Sequence, residues 1–269
     1  VNPQERELVA RLCVRRAGLQ VDPDKDYLIE SRLAPVARRE GFASASELAQ
    51  ALRDREEERL IWATVEAMVL AETSFFRDLE MFQHLFAEVL PAIAAGREGQ
   101  PIRIWSAACG SGQEVYSLAM MLDHARPAGA RVELFASDLS ERLLEKAQSG
   151  LYSQFEVQRG LPARLLVRHF QHNEEMFQLT ARMRQQVRWR RVNLIDDLAP
   201  LGQFDIVLCR NLLGSLTPAA QGQVMAGLTA AVAPGGWLVL GRGETAPGLV
   251  AGPHGFWRPS RDARNARAA

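Results

Sequence analysis

With 269 residues, 47% of them hydrophobic, the chain can bury a substantial core, either as one large domain or as a small domain joined to a larger one. Its formal charge is zero, which removes any global electrostatic case for nucleic acid or anionic lipid, and no run of about 18 uncharged apolar residues marks a membrane span. The opening VNPQERELVARL is charged from the start, unlike a secretory signal, and Cys13, Cys109 and Cys209 are too scattered for a disulfide framework or a metal site, so a reduced, cytoplasmic protein is expected.

From Glu5 to about Arg77, apolar residues recur at three- and four-residue spacing through ERELVARLCVRRAGL, YLIESRLAPVARREGF and SASELAQALRDREEERLIWATVEAMVLA. That period predicts a small all-α domain over 1–77. Gly41 stands where the second helix should stop, and Ser46 where the third should be capped. A linking helix is expected through DLEMFQHLFAEVLPAIAAG, within a connection over 78–101, closing at Gly96.

The pattern then changes. PIRIWSA reads as a strand, GQEVYSLAMMLDHA as a helix, RVELFASD as a strand, SERLLEKAQSG as a helix, FDIVLCRN as a strand, TPAAQGQVMAGLTAAVA as a helix with Pro218 in its first turn, and GGWLVLG as a strand. This alternation predicts an α/β domain over 102–257, an open and mostly parallel sheet with ligands at the carboxyl ends of its strands. One segment breaks the alternation: RGLPARLLVRHF reads as helical, and EMFQLTARMRQQVRWRRVNL alternates as two short strands do. A small antiparallel β insertion is therefore placed at about 171–192. The segment is also basic, since Arg159, Arg164, Arg168, Arg182, Arg184, Arg188, Arg190 and Arg191 outnumber Glu174 and Glu175. Such a run is a solvated face or a docking surface for an acidic partner. The tail over 258–269 is rich in arginine and alanine and has little to bury.

Gly110 and Gly112, just after the first strand, allow the tight turn at which backbone N–H groups approach a ligand. The third glycine of a dinucleotide fingerprint is missing, and Glu114 in the first helical turn would oppose a diphosphate while suiting an ammonium or sulfonium. Asp138, closing the second strand, stands where such sheets place an acid for ribose hydroxyls, although an N-cap for the next helix is the competing role. Together these residues indicate an adenosine-type cofactor. His169 and His172 have a metal-compatible spacing but no further ligand cluster nearby, so no metal is expected.

The motifs ETSFFRD (72–78), RIWSAACGSGQEVYSLAM (103–120), ASDLSERLLEKAQSGLY (136–152), RGLP (159–162), VNLID (192–196) and FDIVLCRN (204–211) occur in the order and spacing of the chemotaxis receptor glutamate methyltransferases, the CheR type, which the chain resembles over nearly its whole length. The resemblance implies an S-adenosylmethionine-dependent, Rossmann-like methyltransferase sheet carrying an N-terminal all-α domain and a small antiparallel insertion. It implies methyl transfer to glutamates of methyl-accepting chemoreceptors, with S-adenosylhomocysteine as product. Carried over by position, Thr73, Arg77, Gly110, Gly112, Glu114, Asp138, Asn193, Leu194, Arg210 and Asn211 are implied cofactor contacts. Arg103 is implied near the transferred methyl, and Ser215 occupies the place of a family tyrosine there.

Ala71 stands where the family has asparagine, and GRGE (241–244) where it has a GHSE-like sequence. These departures and Ser215 keep open a second reading, a catalytically weakened binder of the cofactor that acts on a receptor or regulator. A nucleic-acid methyltransferase is disfavoured, because CRNLL carries neither a Pro-Pro-aromatic nor a Pro-Cys signature. Without a glycine in RHFQHNEEMFQLTARMRQ, independence from a receptor pentapeptide is expected. Arg32, Arg38 and Arg39 are the expected receptor-docking residues, with Arg32 and Arg39 on one helix face. The protein is expected to act as a monomer on the receptor's cytoplasmic domain, with no nucleic acid and no membrane insertion.

Overall fold

The computed structural model describes residues 1–55, 57–97, 99–126 and 130–259. The chain forms two compact units, Val1–Leu70 with Leu213–Val224, and Ala71–Leu212 with the chain from Met225 onward. Beyond Pro259, the expected tail lies outside the described residues. No helix among the described residues is long and apolar enough to cross a membrane.

The first unit is built on four helices, α1 (Pro3–Ala17), α2 (Asp26–Arg39), α3 (Ala45–Asp54) and α4 (Glu58–Met68). Asn2 and Glu5 form a capping box at the start of α1, and Gly18 ends it at φ 65°. The expected stop at Gly41 is realised at φ +84°, where the Phe42 N–H donates to Ala37 O at 2.8 Å. The cap of α3 is Ser44, not Ser46: the Glu47 N–H donates to Ser44 Oγ at 3.1 Å. Ser46 Oγ instead donates to the buried Glu5 carboxylate at 2.7 Å, a contact across the helices that outweighs the local cap. Val9, Leu12, Ile29, Leu33, Leu48, Leu60, Ile61 and Val65 are buried on the inward faces.

The second unit opens with the segment Ala71–Asp78, which had been expected to belong with the helices up to Arg77. Phe75 holds it here, packing edge-on against Tyr152 and Phe170 at 5.1 and 5.8 Å. The linking helix runs Leu79–His84, a π-turn Leu85–Val89, then Leu90–Ala95. Pro91 has no N–H and crowds the turn before it, and the Leu90 N–H reaches five residues back to Leu85 O.

Among the described residues ten strands follow: β1 (Ile102–Ala107), β2 (Val132–Asp138), β3 (Leu151–Ser153), β4 (Phe170–Asn173), β5 (Met176–Leu179), β6 (Val187–Arg191), β7 (Phe204–Cys209), β8 (Val232–Leu240), β9 (Leu249–Ala251) and β10 (Phe256–Pro259). The main sheet has the order β6-β2-β1-β7-β8-β10-β9, parallel from β6 to β8 and antiparallel at β10 and β9. Every residue of β7 is buried, as a central strand covered on both faces requires. The order reverses at β1 and β7, so the crevice beyond their carboxyl ends is the expected ligand position.

The small antiparallel sheet is present, ordered β3-β5-β4. Its extent differs from the expected 171–192. It starts earlier, at Leu151, and β6 is not part of it. β6 pairs parallel with β2 through Ala136↔Trp189 and Asp138↔Arg191. Its alternation is that of an edge strand, with Val187 buried and Arg188 and Arg190 exposed.

Candidate active site

The turn after β1 needs both of its glycines. Gly110 has φ 58° and Gly112 φ 86°, and Ala108 shares the left-handed region at φ 53°. A Cβ on Gly110 would lie 3.0 Å from Thr73 Cγ2, and one on Gly112 3.0 Å from both Ala147 Cβ and the Trp189 ring. The turn is pinned from below by the Cys109 N–H donating to Ser137 O (2.9 Å) and by Tyr152 Oη donating to Ser111 O (2.7 Å). Gly112 then begins the helix Gln113–Ala125, whose first turn carries Glu114.

Asp138 is 4% exposed at the end of β2. Its Oδ2 accepts from the Gly110 N–H at 2.8 Å, and its Oδ1 from the Ser140 N–H at 2.9 Å. The N-cap role falls to Ser140, whose Oγ accepts from the Leu143 N–H at 3.3 Å. The two carboxylate oxygens each have further acceptor capacity, which suits a pair of vicinal hydroxyls.

On the β7 side, Arg210 Nη1 donates to Glu114 Oε2 at 2.8 Å, and Ser106 Oγ donates to Glu114 Oε1 at 3.0 Å. Arg210 Nη2 also pairs with Asp78 and donates to Arg77 O. The Arg210 Nε is buried and has no hydrogen-bond partner among the described residues. Glu114 and Arg210 thus set a negative and a positive group side by side, the complement of an amino-acid zwitterion. An orphaned guanidinium N–H, a buried acid at the end of β2 and a backbone turn without side chains together fit S-adenosylmethionine.

The loop after β6 runs beside the end of β2. The Val192 N–H donates to Asp138 O at 3.0 Å, bringing Asn193 and the buried Leu194 close to Asp138, and Asn193 Nδ2 donates to Asp196 Oδ1 at 3.5 Å. Asn211 holds a left-handed backbone at φ 60°. Glu244 Oε2 fixes it, accepting from the Asn211 N–H (2.9 Å) and the Gly241 N–H (2.7 Å) and so tying the ends of β7 and β8 together. Gly241 leaves no room for a Cβ, which would lie 2.8 Å from Asn211 N. Glu244 and Asp78 were not singled out in the sequence. The only signal for Glu244 was its place in GRGE, and Asp78 ends the ETSFFRD motif. Thr73 packs on the glycine turn, while the Arg77 guanidinium donates back to Glu72 O at 2.9 Å.

Cys109 and Cys209 are buried beside the turn and the end of β7. Burial, then the charges of Asp138 and Glu114, pushes the Cys109 thiol far up. Burial, then Glu244 and Glu114, does the same to Cys209.

Arg103 does not lie near the glycine turn. It is the second residue of β1, at the strand's amino end, whereas the glycine turn follows the carboxyl end. At about 3.3 Å per residue, Arg103 and Ala107 are about 13 Å apart. Its guanidinium is occupied there by Gln203 O (2.6 Å) and Leu201 O (3.3 Å), and lies 4.3 Å from the Phe204 ring centroid. The match of strand motifs placed it near the methyl without regard to which end of the strand it occupies.

Ser215 belongs to the first unit, in the 3-10 turn Leu213–Ser215. Its carbonyl accepts from the Gln20 N–H at 2.8 Å, and it lines a cavity of about 130 Å³ with Leu19, Ile29, Arg32 and Met68. Arg32 donates to Met68 O at 3.1 Å and the exposed Arg39 to Glu40 Oε1 at 3.0 Å, and Arg38 is exposed as well. Of the basic segment, Arg168 and Arg182 converge on Asp123, and Arg191 donates to Leu139 O. His169 is buried and His172 packs against Phe177, and no group of three or more His, Cys, Asp or Glu among the described residues could hold a metal ion.

Residues 71–251 match the family described as CheR methyltransferase, SAM binding domain, and residues 4–62 match the CheR methyltransferase all-alpha domain. The chain is 35% identical over 244 residues to a chemotaxis protein methyltransferase 1 of Pseudomonas aeruginosa, covering 88% of this chain and 89% of that protein. It is 34% identical over 255 residues to a chemotaxis protein methyltransferase of Vibrio parahaemolyticus, covering 93% and 92%. Among solved structures, a glycopeptide N-methyltransferase MtfA complexed with S-adenosyl-L-methionine aligns at 16% identity and a TM-score of 0.34, covering 58% of this chain and 53% of that one.

Proposed function

Since the chain belongs to the CheR methyltransferase family, we propose that it is a protein-glutamate O-methyltransferase that forms methyl esters on the cytoplasmic domain of methyl-accepting chemoreceptors. It is an S-adenosylmethionine-dependent methyltransferase of the chemotaxis type. The observation that carries the finer reading is the Glu114–Arg210 pair beside a glycine turn and the buried Asp138.

Thr73, Arg77, Gly110, Gly112, Glu114, Asp138, Asn193, Leu194, Arg210 and Asn211 are the residues proposed to hold the cofactor. Asp138 would accept from the ribose hydroxyls, Glu114 would take the ammonium and Arg210 the carboxylate of the amino-acid end. The backbone of the Gly110–Gly112 turn lets the ligand approach closely. The cofactor supplies a methyl group on a sulfonium, whose cleavage leaves a neutral thioether.

The protein has little proton chemistry to perform. A glutamate carboxylate is ionised at neutral pH, so its oxygen forms the new C–O bond in line as the S–CH₃ bond breaks, and no general base is needed. The chain's task is to hold two reactants at near-attack distance and exclude water. With Cys109 and Cys209 held as neutral thiols, neither cysteine supplies a nucleophile, which agrees with direct transfer.

Receptor docking is proposed for Arg32, Arg38 and Arg39, and Arg38, exposed on α2, is the member best placed to meet an acidic helix. The protein is proposed to act in the cytoplasm as a monomer. The β4–β5 hairpin is tight, with Glu174 at φ 54° and Glu175 at its tip, and these acids and the lack of a glycine support independence from a tethered pentapeptide. Calorimetric titration with such a peptide should show no binding at micromolar concentration.

The deciding experiment is to incubate the protein with methyl-labelled S-adenosylmethionine and receptor cytoplasmic fragments, then measure base-labile label in the receptor. Incorporation is expected. No label in a protein that still binds S-adenosylhomocysteine would reject the activity and leave the second reading, a cofactor-binding signalling protein weakened by Ala71 and Ser215.

A further inference from the structure

The crossover from β6 to β7 contains no α-helix. Between Arg191 and Phe204 the chain makes only the 3-10 turn Ala199–Leu201. A parallel sheet is ordinarily covered on both faces by its crossover helices. Here one face of β6, β2 and β1 carries a cavity of about 290 Å³.

The register says which side chains share that face. Arg103 lies opposite Glu133, Trp105 opposite Phe135, Phe135 opposite Arg188, and Ser137 opposite Arg190. Trp105 Nε1 donates to Ser137 Oγ at 2.9 Å, as side chains on one face can. Trp189 alternates to the other face, where its ring meets Gly112. The floor is aromatic: Phe135, half-buried, stacks on Phe204 with centroids 5.6 Å apart and planes 15° apart. Arg103, fixed by two carbonyls, lies against the Phe204 ring. The rim is cationic. Arg188 and Arg190 are exposed and meet no acid among the described residues, while Glu133 is answered by Arg131 at 3.1 Å.

We propose that this groove is a second small-molecule site, for a planar anion of the nucleoside monophosphate class. The base stacks on Phe135, and the phosphate is bound by Arg188 and Arg190. Neighbouring strands are about 4.8 Å apart and alternate residues of one strand about 6.6 Å apart, so an aromatic face and two guanidinium groups fall within the span of one nucleotide. The small volume fits a compact ligand better than a folded partner. Charged edge residues that only prevent strand pairing would require neither the cavity nor the aromatic floor. The site is separate from the cofactor crevice, because none of the proposed cofactor contacts lines it.

The test is calorimetry on the full chain saturated with S-adenosylhomocysteine, so that a nucleoside cannot register in the cofactor site. GMP, AMP and inorganic phosphate are titrated in turn. At least one nucleotide should bind saturably and at least tenfold more tightly than phosphate. Arg188→Ala with Arg190→Ala should weaken it tenfold or more while the affinity for S-adenosylhomocysteine stays within twofold, and Phe135→Leu should weaken the nucleotide but not phosphate. The proposal is overturned if neither nucleotide saturates by millimolar concentration, if phosphate binds as tightly, or if the double variant binds like the parent.

Discussion

Asp138→Ala separates what the carboxylate at the end of β2 does for the fold from what it does for the cofactor. Both its oxygens accept a buried backbone N–H, from Gly110 and Ser140. Alanine orphans the two donors, and at about 1–3 kcal/mol each the fold loses about 2–6 kcal/mol. For a chain of this size, about 2–4 °C per kcal/mol lowers Tm by roughly 4–24 °C. Two ribose hydroxyls donating to a charged acceptor contribute about 1.5–3 kcal/mol each, so S-adenosylhomocysteine should bind about 10²- to 10⁴-fold more weakly. Ser140→Ala is the control. It removes the cap on Leu143, worth about 1 kcal/mol, and leaves the backbone N–H that Asp138 accepts. It should lower Tm and leave affinity within twofold. Calorimetry and thermal melts of both variants decide the matter. An Asp138→Ala protein that melts cooperatively and binds S-adenosylhomocysteine within threefold of the parent would refute the ribose assignment.

Glu244→Ala removes the acceptor shared by the Asn211 and Gly241 N–H groups, and should reduce methyl incorporation tenfold or more in the labelling assay; parental turnover would show that the tie is dispensable. Arg103→Ala loses two carbonyl contacts and should destabilise by about 2–4 kcal/mol in urea titration with cofactor affinity unchanged, whereas a large fall in that affinity would bring Arg103 back to the crevice. His169 has its pKa lowered by burial first, with Arg168 and Arg182 adding and Asp123 opposing. The folded state therefore binds fewer protons than the unfolded one, and stability complete above about pH 6.5 should decline as pH falls below it. Urea midpoints at pH 7.5 and 5.5 should differ more in the parent than in His169→Phe. Burial pushes the Cys13 thiol up to about 12, and Cys109 and Cys209 are buried as well, so Ellman's reagent at pH 8 should leave the folded protein unmodified and react with Cys13, Cys109 and Cys209 once it unfolds.

The sheet and the glycine turn were legible because both are written locally, in alternating apolar strands and in backbone that only glycine adopts without strain. What was not legible depended on partners far along the chain. The alternation of VRWRR fits either sheet, and only the pairing with β2, as at Arg191 with Asp138, assigns β6 to the main one. Ser44 and Ser46 are equally good caps in isolation, and the buried Glu5 decides between them by claiming Ser46. Arg103 has the residue type that a methyl-transfer site uses, but a motif does not state which end of a strand faces the ligand.

The same limit applies inside the crevice. Read separately, Glu114 suits an ammonium and Arg210 a carboxylate. In the fold they hold each other, with Asp78 on the far side of Arg210. An isolated buried carboxylate or guanidinium would be costly, and the pair removes that cost before any ligand arrives. Because each group is already fixed by the other, a zwitterion enters a preorganised pair and need not order two free side chains. Selectivity follows from the same contact. A ligand bearing only an ammonium or only a carboxylate answers one member and leaves the other to its present partner, so decarboxylated S-adenosylmethionine should bind at least tenfold more weakly than the parent molecule in the calorimeter. Equal affinity would mean that the Glu114–Arg210 pair supports the fold and does not read the amino-acid end.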